Sequence, residues 1–430
     1  MKKFTFNVGA LALAVTSAYT FAQTSVIYAG SLLTDADKKV LTKQTIVIEN
    51  GVIKAVRAGY QPAANYGEDA TIIDLKDAFV MPGMFDMHVH FQGELGPRND
   101  SEKLRYSSGD NLMRSAHFAK KTLIAGFTTV RDLGGGAEES FALRDGIKRG
   151  WVEGPRIIAA GTMVAVTGGH GDVDGMSPDL LATHTAKTIC DGPYDCRRAT
   201  RHAIKYGADV IKITSTGGVL SDTDTGTGQQ MVNDELREVI DAAHALGRKV
   251  TSHAHSATGI NAALKAGVDS IEHGSYADEE SIKLFKEHGA YLVPTLMAGD
   301  TVVTMAKQGK ISSEVISKKA IRVGGDMIAN FKRSYKSGVK IAYGTDSGVS
   351  QHGNNAYEAE LMFNAGMKPI EIIKTATKNA ADLAGKTKQL GTLEAGKYAD
   401  IIAMPNNPVK DIKALQKVSF VMKGGKVYKQ

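Results

Sequence analysis

The chain predicts an α/β fold: a (β/α)8 TIM barrel carrying a small composite β-sandwich built from both chain ends. Three observations predict it. Eight short apolar runs alternate with helix-like stretches between residues 82 and 389. Strand-like runs without long helices fill residues 23–81 and 390–430. Histidines and one acid with chemical promise end several of the eight runs, and a barrel keeps its reactive groups at the carboxyl ends of its strands.

At 430 residues the chain is long enough for one large domain and a smaller one. Hydrophobic residues make up 43% and charged residues 23%, an ordinary globular balance. The formal net charge is +6, with lysines and acids interspersed and no long basic block. That reads as solubility and argues against nucleic-acid binding.

Residues 1–22 differ in character. Met1-Lys2-Lys3 is basic, Val8 to Val15 is apolar, and Thr20-Phe21-Ala22 offers small residues for cleavage. This is a secretory signal peptide, cut after Ala22, and the mature protein is expected in the periplasm or secreted. An uncleaved anchor is the alternative, but the run is short for a bilayer. No other segment reads as a membrane span. Export bears on Cys190 and Cys196, which enclose the turn-rich Asp191-Gly192-Pro193-Tyr194-Asp195. In an oxidising compartment a local disulfide is expected, with two free thiols the alternative.

The first β segment holds Ser25–Ala29, Thr45–Ile48 and Val52–Val56. Asn50-Gly51 between the last two is a hairpin signal. From residue 82 the rhythm changes. Met84-Phe85-Asp86-Met87-His88-Val89-His90-Phe91 is a buried strand entered through Pro82-Gly83. Seven further strand candidates follow, opening at Phe127, Arg156, Asp209, Lys249, Asp269, Tyr291 and Ile341. Amphipathic stretches lie between them. In one, Leu236, Val239, Ile240, Ala243 and Leu246 recur at helical spacing, with Asn233 to cap the start and Gly247 to end it. Another runs from Asp278 to His288. A doubly wound open sheet is the alternative, but there is no dinucleotide glycine fingerprint. Arg131-Asp132-Leu133-Gly134-Gly135-Gly136 lacks a Walker lysine and reads as a strand-to-helix loop. Tyr398–Met404 and Val418–Met422 return the tail to strands.

On a strand, residues i and i+2 share a face, so His88 and His90 project together. Two converging imidazoles suit zinc, although H-x-H alone is a weak signal. Lys212 lies in the fourth strand, His253 and His255 end the fifth, His273 ends the sixth, and Asp346 follows the eighth. Each could be structural by itself. Their joint placement at five of eight strand ends points to a metal centre.

With these residues the chain resembles the amidohydrolase superfamily, above all its exported imidazolonepropionase-like branch related to Xaa-Pro and Xaa-Lys/Arg dipeptidases. The resemblance rests on "GMFDMHVHF", "DVIKITSTGG", "VTSHAHS", "SIEHGS", "YGTDSG" and "GTLEAGKYADIIAM", and covers nearly all of the mature chain. It implies two divalent ions, most simply Zn2+. His88 and His90 would hold the more buried one, His253 and His273 the other, and Asp346 would bind the first and handle protons. Lys212 would be N6-carboxylated by CO2 and bridge them, a single-ion site being the alternative. The implied reaction is attack of a metal-bound hydroxide on the amide of a dipeptide or N-acyl amino acid with a free C-terminal carboxylate. A cyclic-amide hydrolase or deaminase, an ochratoxin-type amide hydrolase, and a barrel kept only for binding are the rivals. Related dipeptidases imply a homo-oligomer, as large as an octamer.

Two further histidines are candidates for substrate. His170 follows the third strand in Thr167-Gly168-Gly169-His170-Gly171, and His255 shares a face with His253. His117, His184, His202, His244 and His288 fall in helix-like stretches and read as structural; His352 has no assigned role. Specificity is expected in loops such as Val219 to Gln230.

Overall fold

A computed structural model describes residues 24–430 apart from 97–98, 174–176, 178, 180, 182–183, 222–225 and 312. The leader expected over residues 1–22, and part of the 219–230 loop, lie outside the described residues. Strands β1 (Thr24–Leu32), β2 (Leu41–Glu49), β3 (Val52–Ala58) and β4 (Thr71–Pro82) open the chain. Asn50 and Gly51 both take positive φ, 52° and 79°, which is what a two-residue hairpin turn requires. β4 leads through Gly83 into β5 (Met84–Val89).

Eight parallel strands begin with β5. They continue with β6 (Phe127–Asp132), β7 (Arg156–Ala159), β8 (Val210–Thr214), β9 (Lys249–Ala254), β10 (Ser270–His273), β11 (Tyr291–Val293) and β12 (Lys340–Ile341). They form two parallel sheets, ordered β5-β6-β7 and β12-β11-β10-β9-β8. Backbone bonds reach across both gaps: Val164 N donates to Lys212 O at 2.8 Å, and Met87 N to Tyr343 O at 2.8 Å. β5, β6, β8 and β10 are buried at every position, as parallel strands covered by helices must be.

The covering helices take their ends from local chemistry. Asp278 caps the helix Glu279–His288, accepting from Ser281 N at 2.8 Å. Ser256 caps Ala257–Ala266 in the same way. The expected cap at Asn233 is corrected: Asn233 is the first helical residue of Asn233–Ala245. The boundary is Val232, whose N–H is taken by the Glu235 carboxylate at 2.9 Å. Glu235 lies one turn in, so its longer side chain reaches back to a donor that Asn233, already helical, cannot cap.

The tail supplies β13 (Ile401–Met404), β14 (Phe420–Lys423) and β15 (Lys426–Lys429). β13 pairs antiparallel with β4, placing Ile402 opposite Met81. Strands from both ends thereby share one seven-stranded sheet, ordered β15-β14-β13-β4-β1-β2-β3. Ile27, Ile46, Ile53, Ile401 and Phe420 form its apolar cluster. Among the described residues, no helix is long and apolar enough to cross a membrane.

Candidate active site

The strand ends converge. His88 is the penultimate residue of β5 and His90 lies just past its end, Lys212 projects from β8, His253 and His255 lie at the end of β9, His273 ends β10, and Asp346 follows β12. These seven and His170 all line one cavity of about 190 Å³. Every residue with a predicted role at the site is therefore brought to one place. Three of them lie at ligand spacing: donor atoms of His88, His90 and Asp346 sit within 4.8 Å of one another.

The donor chemistry of that trio fits a cation. His90 Nδ1 lies 2.9 Å from Gly134 O, which only a protonated Nδ1 can satisfy. Its Nε2 lies 3.2 Å from His88 Nε2 and 3.2 Å from Asp346 Oδ1. Burial pushes the His90 imidazole down, but the Asp346 carboxylate outweighs burial and raises it above the ordinary range, favouring a proton on Nε2 that a cation would displace. His88 Nδ1 lies 2.8 Å from Glu272 Oε2, a close contact bent out of hydrogen-bond alignment. That carboxylate favours the proton on Nδ1 and leaves His88 Nε2 as a lone pair. Asp346 Oδ1 is buried and accepts no aligned hydrogen bond from the described residues. The three donor atoms converge on one point, where a cation could take the place of the proton shared by His90 and Asp346.

Charge supports the same arrangement. Burial, then the nearby Lys212 charge, pushes His88 well below the ordinary imidazole range, so its imidazole is neutral. Burial pushes the Asp346 carboxyl up, but His88, His90 and Lys212 outweigh it and hold Asp346 below the usual carboxylate range. Burial brings the Lys212 ammonium down to about 8, against the pull of Glu272 and Asp346. Lys212 Nζ lies 3.5 Å from His88 Nε2.

The remaining histidines are each oriented by a neighbour. His273 Nδ1 meets Thr295 Oγ1 at 2.7 Å, His255 Nδ1 meets Ser275 Oγ at 2.7 Å, and His170 Nδ1 meets Ser221 Oγ at 2.6 Å. Each contact occupies Nδ1 and frees Nε2. The His253 ring lies 4.6 Å from that of His273 and 4.2 Å from that of His170. His352, unassigned from sequence, is buried against Phe118 with Nε2 3.2 Å from His90 O, and so props the ligand strand.

Sequence reasoning missed the layer behind the ligands. Glu272 is fully buried; its Oε1 accepts from Arg131 Nη2 at 2.8 Å, from Ser270 Oγ at 2.8 Å and from Thr251 Oγ1. Arg131, read from sequence as part of a loop, sits in β6 and also donates to Met87 O at 2.7 Å. Asp86 is fully buried and accepts from Thr345 Oγ1 at 2.6 Å and Asn355 Nδ2 at 2.7 Å, tying β5 to the Asp346 loop. The available signal was a charged letter inside a short strand-like run, which must be paired if buried. Backbone strain marks the same region: His273, Thr295 and Asp346 hold φ of 69°, 51° and 56°. Gly348 is needed nearby, because a Cβ there would meet His90 O at 2.7 Å.

The far wall is apolar: Met163, Val219, Leu220, Val302, Met327 and Val349 face the histidines. Gly299 leaves room in it, since a Cβ there would meet Met327 Sδ at 2.8 Å.

The chain is similar to known proteins along nearly its whole length. An ochratoxinase from Aspergillus niger is 33% identical over 428 residues, covering 95% of this chain and 87% of its own. The crystal structure of a Xaa-Pro dipeptidase with bound methionine in the active site is 38% identical, with a TM-score of 0.90, covering 95% of this chain and 100% of its own. A prolidase complexed with N-methylphosphonate-L-proline gives 0.86 at 30% identity, over 95% and 100% of the two chains. The Amidohydrolase family matches residues 79–428, and the chain belongs to that family as a hydrolase of amide bonds.

Proposed function

We propose that the enzyme hydrolyses the amide of a dipeptide or N-acyl amino acid bearing a free C-terminal carboxylate, using divalent metal ions, most simply zinc. The observation that carries this is the convergence of donor atoms of His88, His90 and Asp346 beside Lys212, facing an apolar wall. His88, His90 and Asp346 would hold one ion, and His253 and His273 a second. Lys212, carboxylated by CO2, would bridge them; a lysine brought down to about 8 offers the neutral amine that carbamate formation needs. Such ions polarise a carbonyl and lower the pKa of water. Asp346 would take the proton from the attacking water and hand it to the leaving amine. His170 would donate from Nε2 to a substrate oxygen, and His255 would orient the substrate beside it. The apolar wall suits an uncharged side chain or acyl group. The relatives named for Xaa-Pro dipeptidase and ochratoxinase activity support, respectively, the dipeptide and N-acyl readings.

The same reading extends to architecture and location. We read the two parallel sheets as one closed barrel over residues 82–389. The sheet of residues 23–81 and 390–430 is then a sandwich folded on its apolar cluster. A Cys190–Cys196 disulfide supports export to an oxidising compartment. A homo-oligomer is part of the proposal.

The test compares free and C-terminally amidated dipeptides on zinc-loaded protein. Losing one hydrogen bond to a charged oxygen costs about 1.5–3 kcal/mol, so amidation should lower kcat/KM roughly tenfold or more. Equal turnover of the two would refute the carboxylate requirement. Protein that binds no metal yet turns over would refute the metal mechanism.

A further inference from the structure

The opposite face of the parallel strands carries a second cavity, of about 1040 Å³. It lies at the amino ends: Arg156 opens β7, Val210 opens β8 and Lys249 opens β9. The β14–β15 hairpin, through Lys423 and Lys426, closes one side.

Its charge is one-sided. Ten arginine and lysine side chains line it against two carboxylates, Asp145 and Asp209. Some of it is neutralised locally. Arg144 pairs with Asp145 at 2.8 Å and Asp209 at 2.9 Å, Arg156 with Asp400 at 2.9 Å, Arg131 with Glu272 at 2.8 Å, Lys249 with Asp269 at 3.9 Å and Lys426 with Glu153 at 3.8 Å. Lys148, Arg248, Lys386 and Lys423 take part in no ion pair among the described residues. Arg248 is held in place by its Nε, which donates to Ala208 O at 3.0 Å, and Lys423 donates to Gly154 O. A cleft lined by one sign of charge focuses field and concentrates the opposite ion. Its volume is at the upper end of ordinary small-ligand sites, about 300–1,000 Å³.

We infer that this basal cavity binds a compact, multiply charged oxyanion of phosphate or sulfate type. Arginine forks and lysine point charges are the groups that recognise such oxygens. One side chain links the basin to the active site. Arg131 lines the basin and bonds Glu272, which touches His88.

The test is isothermal titration of the metal-loaded full chain with 1,3,6-naphthalenetrisulfonate, a trivalent anion and a weak zinc chelator. An inorganic phosphate arm separates phosphate from sulfonate preference. Saturable binding near one per chain is expected, weakening several-fold as salt rises from about 50 to about 200 mM. The double variant Arg248→Ala, Lys386→Ala should bind at least tenfold more weakly with its melting temperature and metal content unchanged. The variant His170→Asn should bind as wild type. Three results would overturn the inference: no saturable heat, a double variant that binds normally, or loss of binding in His170→Asn. A double variant that changes native mass while the wild type binds neither anion would assign the basin to a contact between copies instead. The readout is binding and not turnover, so its failure is distinguishable from failure of the amidase reading.

Discussion

Replacing Glu272 by glutamine removes one charge and no volume. Its consequences can be worked from four contacts. One carboxylate oxygen takes Arg131, Ser270 and Thr251; the other lies 2.8 Å from His88 Nδ1. A glutamine has one acceptor oxygen. Turned toward Arg131, it presents an NH2 group to His88 Nδ1. The favoured response is for His88 to move its proton to Nε2, the atom that faces His90 and Asp346. That proton occupies the lone pair an ion would use. Loss of an outer-layer partner of this kind typically costs 10–100-fold in metal affinity, or about 1.4–2.8 kcal/mol. Arg131, 2% exposed, is also left without its counter-charge, and breaking a buried pair costs about 3–5 kcal/mol. Glu272→Gln should therefore lower both metal affinity and stability, measured by metal content after dialysis against graded chelators and by urea unfolding of the metal-free protein. Glu272→Asp should retain more of both, because the charge persists. Wild-type affinity and stability in Glu272→Gln would refute the proposed tautomer and with it the lone-pair account of His88.

Three further outcomes are expected. Gly299→Leu fills the apolar wall against Met327, so it should raise KM for substrates with large apolar groups and leave those with small ones and metal content unchanged. Cys190 and Cys196 should resist alkylation until reduced; their seven-residue loop makes Cys196→Ser cost about 2 kcal/mol by chain-entropy arguments, read by thermal unfolding. The Lys423 ammonium is pushed from 10.5 down to about 8 by burial and Arg156. Its folded value lies below its unfolded one, so folding disfavours the charged form, and stability should rise as pH climbs from about 8 to about 10.5. Lys423→Met should flatten that slope in melts taken across the same window; an unchanged slope would remove Lys423 as its source.

The ligand candidates were legible because metal chemistry restricts residue types and strand geometry restricts spacing. His88 and His90 share a face because a strand has period two, and Lys212, His253 and His273 were recognisable as polar letters where apolar runs end. The eight strands were legible for the same reason, since parallel strands buried on both faces read as continuous apolar runs. The groups that make the ligands work were not. Glu272 meets Arg131 across 141 residues and Asp86 meets Thr345 across 259, and no local pattern encodes either pairing. The positive φ of His273, Thr295 and Asp346 was equally hidden, because side chains that ordinarily avoid that region give no sign of occupying it. Both omissions share a cause. An ion site needs donor atoms that converge on one point, and that convergence is sustained only by a surrounding buried network that fixes tautomers and backbone. The sequence names the donors, whereas the force that holds them together arises only when distant strands are packed side by side.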